Sequence, residues 1–566
     1  MNLKYHWMMR KSKNVLSLHM IRPAIFALPV LFSASTLYAQ DKDLGEEQVV
    51  IVKPYQPVLS NAMKINVSPE KDTSNFLPPV MKYAISSNGL PVSFGLTPIK
   101  PARLADEKPE PIGIGYARLG FGNYTTPYAD IYIGTKRNKD NILAARYHHL
   151  SSSSDGIDNS GPAKFSNNRF GISGRHFFGG KHSLSGDLGY HRDVIHYYGY
   201  KLSDTSGINT DALRMQYNLI TASARIESNY KPKEGIHHAL GFRYNRLENS
   251  GASNENNVLA DGLVGKNSGR WYMELKGSVN YASTVNLAGR ADNSVAQFTP
   301  AITYKKDDAY WIKAGTNVAM ANASSVRIRI FPHIDASYRI TGDHLVAFAG
   351  ANGGIARNTA VGFVQSNPFI YDSVRYVNTT TRFEAQGGFK GSFGNEWMYL
   401  AKVHFRQLSD APLFVNTADR LQNKFLVVYE NMEVIEATIG LGWMIRNKIS
   451  LDVKGSYFQY GRLENELHPW HLPQFQASGE CRWKVTEKWS INSLVAVIGQ
   501  RFAKAREGEA VKLPVFVDAS IGCSWNYSSN LSFFANFNNL TARSYQIWNR
   551  FPSQRLNFMG GLAYSF

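Results

Sequence analysis

Two histidines, His148 and His149, stand before the run Ser151-Ser152-Ser153-Ser154-Asp155. Serine, histidine and aspartate can build a nucleophilic hydrolase when they converge and a carboxylate orients the imidazole. Neighbouring residues on a strand point to opposite faces, so this run forms no triad by itself. It reads as a Ser-rich loop. His148, His149, His237 and His238 have no carboxylate or cysteine companions at metal-ligand spacing. The chain shows no phosphate loop, dinucleotide fingerprint or heptad repeat. A hydrolase therefore stands last among the readings; no enzyme activity, cofactor or metal is expected.

Between Val326 and Ile340, Arg327, Arg329, His333, Asp335 and Arg339 share one parity, opposite Val326, Ile328, Ile330, Ile334, Ala336 and Tyr338. On a strand these are two faces, one charged and one apolar. If the charged face lines a channel, its arginines favour anionic solutes or anchor a carboxylate. The alternative is an ordinary charged wall balanced by acids on neighbouring strands. Cys481 and Cys523 are the two cysteines. The strand register places them two strands apart, roughly 9.6 Å, beyond the about 7 Å that a disulfide spans. Two free thiols facing lipid are expected.

The elements that position these residues repeat monotonously from Gly113 onward. Segments of alternating polarity break at Gly, Asn, Asp or Ser clusters. Trp271, Met273, Leu275, Gly277, Val279 and Tyr281 oppose Tyr272, Glu274, Lys276, Ser278 and Asn280. Val515, Val517, Ala519, Ile521, Cys523, Trp525 and Tyr527 oppose Asp518, Ser520, Ser524 and Asn526. The last strand puts Leu556, Phe558, Gly560, Leu562, Tyr564 and Phe566 on one face. Full charges on one face, aromatics capping the apolar stripe and a terminal aromatic fit a wall between lipid and water. The expected fold is all-β, a transmembrane antiparallel β-barrel of 16–22 strands over residues 112–566, with 22 favoured by the resemblance of the C-terminal end given below. Extracellular loops are expected at Ser151–Asn168, Ser203–Asp211, Asn249–Asn267, Asn358–Asn378, Asp410–Asn423, Asn465–Pro473 and Ala503–Lys512. No stretch reaches eighteen uninterrupted apolar residues, so no transmembrane helix is expected.

The first forty residues read as a secretory signal peptide. Lys4, Arg10, Lys11, Lys13 and Arg22 precede the short apolar run Ala24–Phe32 and the small residues up to Ala39. Removing those five cations lowers the net charge from +18 to +13. Without Lys/Arg runs that balance points away from nucleic acid, and towards anionic headgroups or an electropositive lumen. Residues 41–111 are Pro-rich, which excludes long helices and central strands.

Asn538-Asn539-Leu540-Thr541-Ala542-Arg543-Ser544-Tyr545, then Trp548, Phe551-Pro552 and the strand ending at Phe566, resemble the C-terminal end of TonB-dependent outer-membrane receptors. Leu562, Tyr564 and Phe566 then read as the barrel-closing strand that the assembly machinery recognises. Val49, Val50, Ile51 and Val52 resemble the TonB box that such receptors lend to a periplasmic partner by strand addition. The other reading is a plain extended leader lying in the lumen. The Pro-rich segment is shorter than that family's plug domain and lacks its glycine-arginine motif. Pro54-Tyr55-Gln56-Pro57 and Gly120-Phe121-Gly122-Asn123-Tyr124-Thr125-Thr126-Pro127 are also similar to plugless receptor-like barrels of Bacteroidetes envelopes. These resemblances imply the cell outer membrane, with its lipid, the barrel-assembly machinery and TonB or another periplasmic protein as partners. The first functional reading is passage of solutes or service as an envelope component; the second is TonB-energised uptake.

Overall fold

The computed structural model describes residues 114–566, apart from 136–139, 159, 202–212, 230–234, 323–325, 447 and 506–507. The readings made for the leader, for Val49, Val50, Ile51 and Val52, for the rest of the Pro-rich segment and for Ser203–Asp211 lie outside the described residues.

Among the described residues, twenty-two antiparallel strands form one sheet. It is closed: β1 (Gly115–Gly122) pairs with β2 (Thr126–Gly134) on one side and with β24 (Asn557–Ser565) on the other. Neighbours in the chain are neighbours in the wall, so each connection joins adjacent strands. The exception is a separate hairpin of β20 (Arg501–Lys504) and β21 (Ala510–Leu513), inserted between β19 (Trp489–Ile498) and β22 (Phe516–Asn526). Twenty-two strands about 4.8 Å apart, tilted by about 40°, make a barrel roughly 40 Å across.

The two ends differ. Where β1 begins and β24 finishes, the connections are short: 179–181, 269–270, 307–309, 342–344 and 394–396 are examples. Short turns mark the periplasmic side. Longer connections at the other end span 197–213, 357–378, 417–424, 462–474, 499–515 and 539–556. The second of these carries the helix α1 (Ala360–Ser366).

Alternation explains the wall. On β12 (Val326–Thr341), Ile328, Ile330, Ile334, Tyr338 and Ile340 are exposed, while Phe331, of opposite parity, is buried. A bare apolar belt of this extent is stable only against lipid. At the short-turn end the belt is edged by aromatic pairs. Trp271 lies 4.7 Å from Tyr304, Trp397 5.3 Å from Trp443 and Trp489 5.7 Å from Trp525. Rings that are apolar in body and polar at the tip suit the headgroup boundary. Leu562, Tyr564 and Phe566 are exposed on this belt, and the Phe566 carbonyl accepts from the N–H groups of Ile114 and Gly115. On the lumen side of this closing seam, Gly561 faces Gly120. A Cβ at Gly561 would lie 2.5 Å from the Phe534 ring and 2.1 Å from the Leu119 carbonyl oxygen, so only glycine fits.

Cys481 and Cys523 are free thiols. Cys481 on β18 (Phe475–Lys484) pairs with Ser493, and Ser493 pairs with Ile521, so the thiols stand two strands and two residues apart.

Three loop expectations are corrected. Asn249–Asn267 is mostly strand, β8 (Asn254–Ser268). Ser151–Asn168 lies mostly in β3 (Asn141–Ser154) and β4 (Ala163–Phe178), which pair up to Ser154 and Ala163. Asp410–Asn423 is strand as far as Asn416. The wall outruns the lipid belt, and its outer ends are wet on the outside as well, so polarity there does not signal a loop. Ala503–Lys512 carries parts of the β20–β21 hairpin.

Candidate functional site

The long loops are built to meet. Three rings from three connections meet: Phe369 and Phe551 stack, and Tyr198 meets both edge-on. Tyr198 follows β5 (His182–His196), Phe369 lies between β13 (Leu345–Ala356) and β14 (Thr379–Phe393), and Phe551 lies between β23 (Leu531–Asn538) and β24. Their centroids are 3.8 Å apart for Phe369–Phe551, 4.9 Å for Tyr198–Phe551 and 5.8 Å for Tyr198–Phe369. Around the barrel these loops are rooted eight, eight and six strand steps apart. On a barrel roughly 40 Å wide, loops from such separate sectors touch only over the middle of the mouth.

A second aromatic group adjoins the first. Phe425, which opens β16 (Phe425–Ile445), is fully buried. It lies 5.4 Å from Trp548, 5.5 Å from His471 and 5.9 Å from Phe551. Several polar groups inside this layer are paired. The Tyr197 hydroxyl donates to the Ile370 carbonyl at 2.9 Å, and the Asn423 amide donates to the Tyr197 carbonyl at 2.7 Å. Arg501 donates to the carbonyls of Gln546 and Ile547 at 2.6 and 2.8 Å. Burial lowers its pKa to about 10, so it stays charged.

His471 is neutral by construction. Its Nδ1–H donates to the Phe414 carbonyl at 3.0 Å, and its Nε2 accepts the Asn549 N–H at 3.3 Å. Burial pushes its pKa down to about 3, only partly offset by the Phe414 carbonyl. The loop that carries it, 462–474, is pinned by Glu430. This wholly buried carboxylate accepts the N–H groups of Asn431, Glu464, Asn465 and Glu466 at 2.8, 2.9, 3.0 and 2.5 Å. Glu255 does the same for α1, accepting the Ala360 N–H at 2.7 Å beside the Thr359 cap.

No family model matches the sequence, and no curated protein matches it. The fold does match solved structures. The ferric-catecholate import receptor Fiu from E. coli K12, in its closed form, aligns with a TM-score of 0.59 at 10% identity, over 81% of this chain and 82% of that one. The siderophore receptor PirA from Acinetobacter baumannii gives 0.62 at 8% identity, over 81% of each chain. The FrpB iron transporter from Neisseria meningitidis gives 0.63 at 10% identity, over 80% and 82%. The chain shares the barrel fold of these receptor structures.

The lumen wall of the barrel lies beneath the capped mouth. On β12, Arg329 donates to Thr380 at 2.8 Å. His333 meets Asn352 at 2.7 Å, and the amide of Asn352 donates to Asp335 at 3.4 Å. Arg339 sits at the short-turn end near Asp343 and Asp308, at 3.5 and 3.9 Å, and Arg327 is exposed towards the loop end. These five are therefore spread along the whole strand instead of converging on one point. A denser group lies on β15 (Trp397–Asn416) and β16. There Glu436 is 3.3 Å from Arg406 and 3.8 Å from His404, which is 3.4 Å from Glu384.

His148 and His149 do face opposite ways. His148 points inward to Asp130 at 3.4 Å, a carboxylate that also holds Arg146 at 2.6 Å. His149 points outward, to Asn168 at 2.8 Å and Ser151 at 3.2 Å. Ser152 points inward and takes a hydrogen bond from Gln554 at 2.8 Å. The cap was invisible to sequence reasoning, because its contacts join residues up to several hundred positions apart. Aromatics gathered in otherwise polar connections, such as Trp548 and Phe551, were its one available signal.

Proposed function

We propose that this barrel is a gated transporter of the receptor type, shut on the outside by its own loops and opened when a solute displaces them. The observation that carries this reading is the meeting of Tyr198, Phe369 and Phe551 over the mouth. A passive porin has no use for a dry, hydrogen-bonded cover of this kind. The three aligned structures are, by their own descriptions, an import receptor, a siderophore receptor and an iron transporter. That supports uptake as the direction of traffic and suits a bound cargo better than bulk flow.

Energised uptake is the finer version. In it Val49, Val50, Ile51 and Val52 serve as the strand lent to a TonB-like protein, while Leu562, Tyr564 and Phe566 direct insertion by the assembly machinery. Deleting residues 41–53 tests it: uptake collapses while the amount of folded barrel in the outer membrane stays unchanged. Unchanged uptake in that deletion would leave a gated passage without an energy partner.

A further inference from the structure

We infer that Ser151, His149 and Asn168 form a catalytic triad on the outer wall of the barrel, hydrolysing acyl esters of outer-leaflet lipids. The inference concerns the wall and not the lumen, so it stands or falls separately from the transport reading.

The geometry is that of an activated serine. The Ser151 Oγ lies 3.2 Å from His149 Nε2, and His149 Nδ1 lies 2.8 Å from Asn168 Oδ1. Asn168 Oδ1 is an acceptor, so Nδ1 carries the proton and Nε2 is left free to take one from Ser151. With the amide placed in this way, its Nδ2 donates to Ser166 Oγ at 3.1 Å and Tyr147 donates to Oδ1 at 3.4 Å. Nucleophile, base and orienting group are thus all in hydrogen-bond reach, with the orienter itself held.

The strand register puts this group beside the lipid headgroups. His149 and Asn168 are direct cross-strand partners, as are Ser151 and Ser166. Two residues below His149 on the same face, Tyr147 is exposed on the lipid belt, as is Phe170 beside it. Ser151 is four residues beyond Tyr147, about 13 Å along a strand tilted by about 40° and so about 10 Å higher, on the headgroup side of the belt. Beside it opens a cleft of about 340 Å³ lined by Ser151, Ser153, Lys164, Ser166, Val194 and His196. Val194 gives the cleft an apolar side. Arg192, across from Asn168, and Arg214, across from His196, extend a cationic field on this wall. Both donate to the Gln216 amide oxygen, at 3.0 and 3.3 Å. Such a field holds the phosphate of a lipid headgroup.

The reaction balances with water as the only co-reactant. Ser151 Oγ bonds to the ester carbonyl carbon as its proton passes to His149 Nε2. The carbon–oxygen bond to the lipid alcohol breaks, and that alcohol leaves with the proton from Nε2. Water then gives a proton to Nε2 and its oxygen to the acyl carbon, releasing a fatty acid and restoring Ser151. Lys164, in the same cleft, meets the charge of the oxyanion.

The test uses the full chain in mixed micelles. A long-chain fluorophosphonate should add one adduct by intact mass, located at Ser151, and none in Ser151→Ala. His149→Asn should slow labelling by at least about a hundredfold. Asn168→Ala should slow it roughly tenfold, with Asn168→Asp restoring it. Ser154→Ala, in the same run but of inward parity and outside the cleft, should label as the parent does. Heat-dependent electrophoretic mobility confirms that each variant is a folded barrel. Fatty-acid release from phosphatidylethanolamine or from an acylated diphosphoglycolipid identifies the source of the ester. Equal labelling of Ser151→Ala overturns the inference, as does a folded parent that takes no adduct and releases no fatty acid from either lipid.

Discussion

Replacing Phe551 with alanine should open the cap and leave the barrel wall intact. Phe551 is 3% exposed and stacks at 3.8 Å on Phe369, with Tyr198 at 4.9 Å and Phe425 at 5.9 Å. Truncating a buried phenylalanine costs about 3–5 kcal/mol. None of this ring's partners belongs to the lipid belt, so the loss falls on the equilibrium between closed and open loops. Taking the lower figure, about 3 kcal/mol is roughly a 150-fold rise in the open fraction. Hydrogen exchange reads that fraction directly, peptide by peptide. Segments 197–200, 368–371 and 548–552 should exchange roughly 150-fold faster in Phe551→Ala, while β12 and β24 keep their protection. A uniform acceleration of wall and loops together would refute the reasoning, as would no change in the loops.

Acid should loosen the same cap. The pKa of His471 falls from an ordinary histidine value of about 6.5 in the unfolded chain to about 3 in place. A depressed folded pKa contributes stability that is present above about pH 6.5 and lost as the pH falls towards 3. At pH 5 the loss is about 2 kcal/mol, to be seen as faster exchange of 462–474, and it should vanish in His471→Gln. Glu430→Ala should strip the partners from four backbone N–H groups and make 462–474 the first site of protease cleavage, whereas Glu430→Gln should cost about 1–3 kcal/mol. Thiol titration should find Cys481 and Cys523 free after unfolding, and a reducing agent should leave the thermal transition unmoved.

The wall was legible in the sequence because lipid and water impose opposite demands on successive residues. Val515 to Tyr527 and the closing strand to Phe566 declare their two faces residue by residue; the alternation bounds the count at sixteen to twenty-two strands, and the resemblance of the closing end favours twenty-two. What was illegible required knowing which strand end lies over which. Phe551 carries no sign that it will stack on Phe369, nor Glu430 that it will gather the N–H groups of 464–466. Polarity also misled at the start of β8, where Glu255 and Asn257 are polar because they are buried inside the wall, and not because they lie in a loop. His149 and Ser151 share a parity that the sequence does display. Asn168, seventeen residues beyond Ser151, joins them only through the β3–β4 register.

Conductance across a planar bilayer tests the closed mouth most directly, with the chain lacking residues 41–110 so that the loops alone can hold it shut. The account predicts a silent barrel that conducts in bursts once Phe551→Ala is introduced. A barrel of that truncated chain that conducts steadily with Phe551 in place would contradict it.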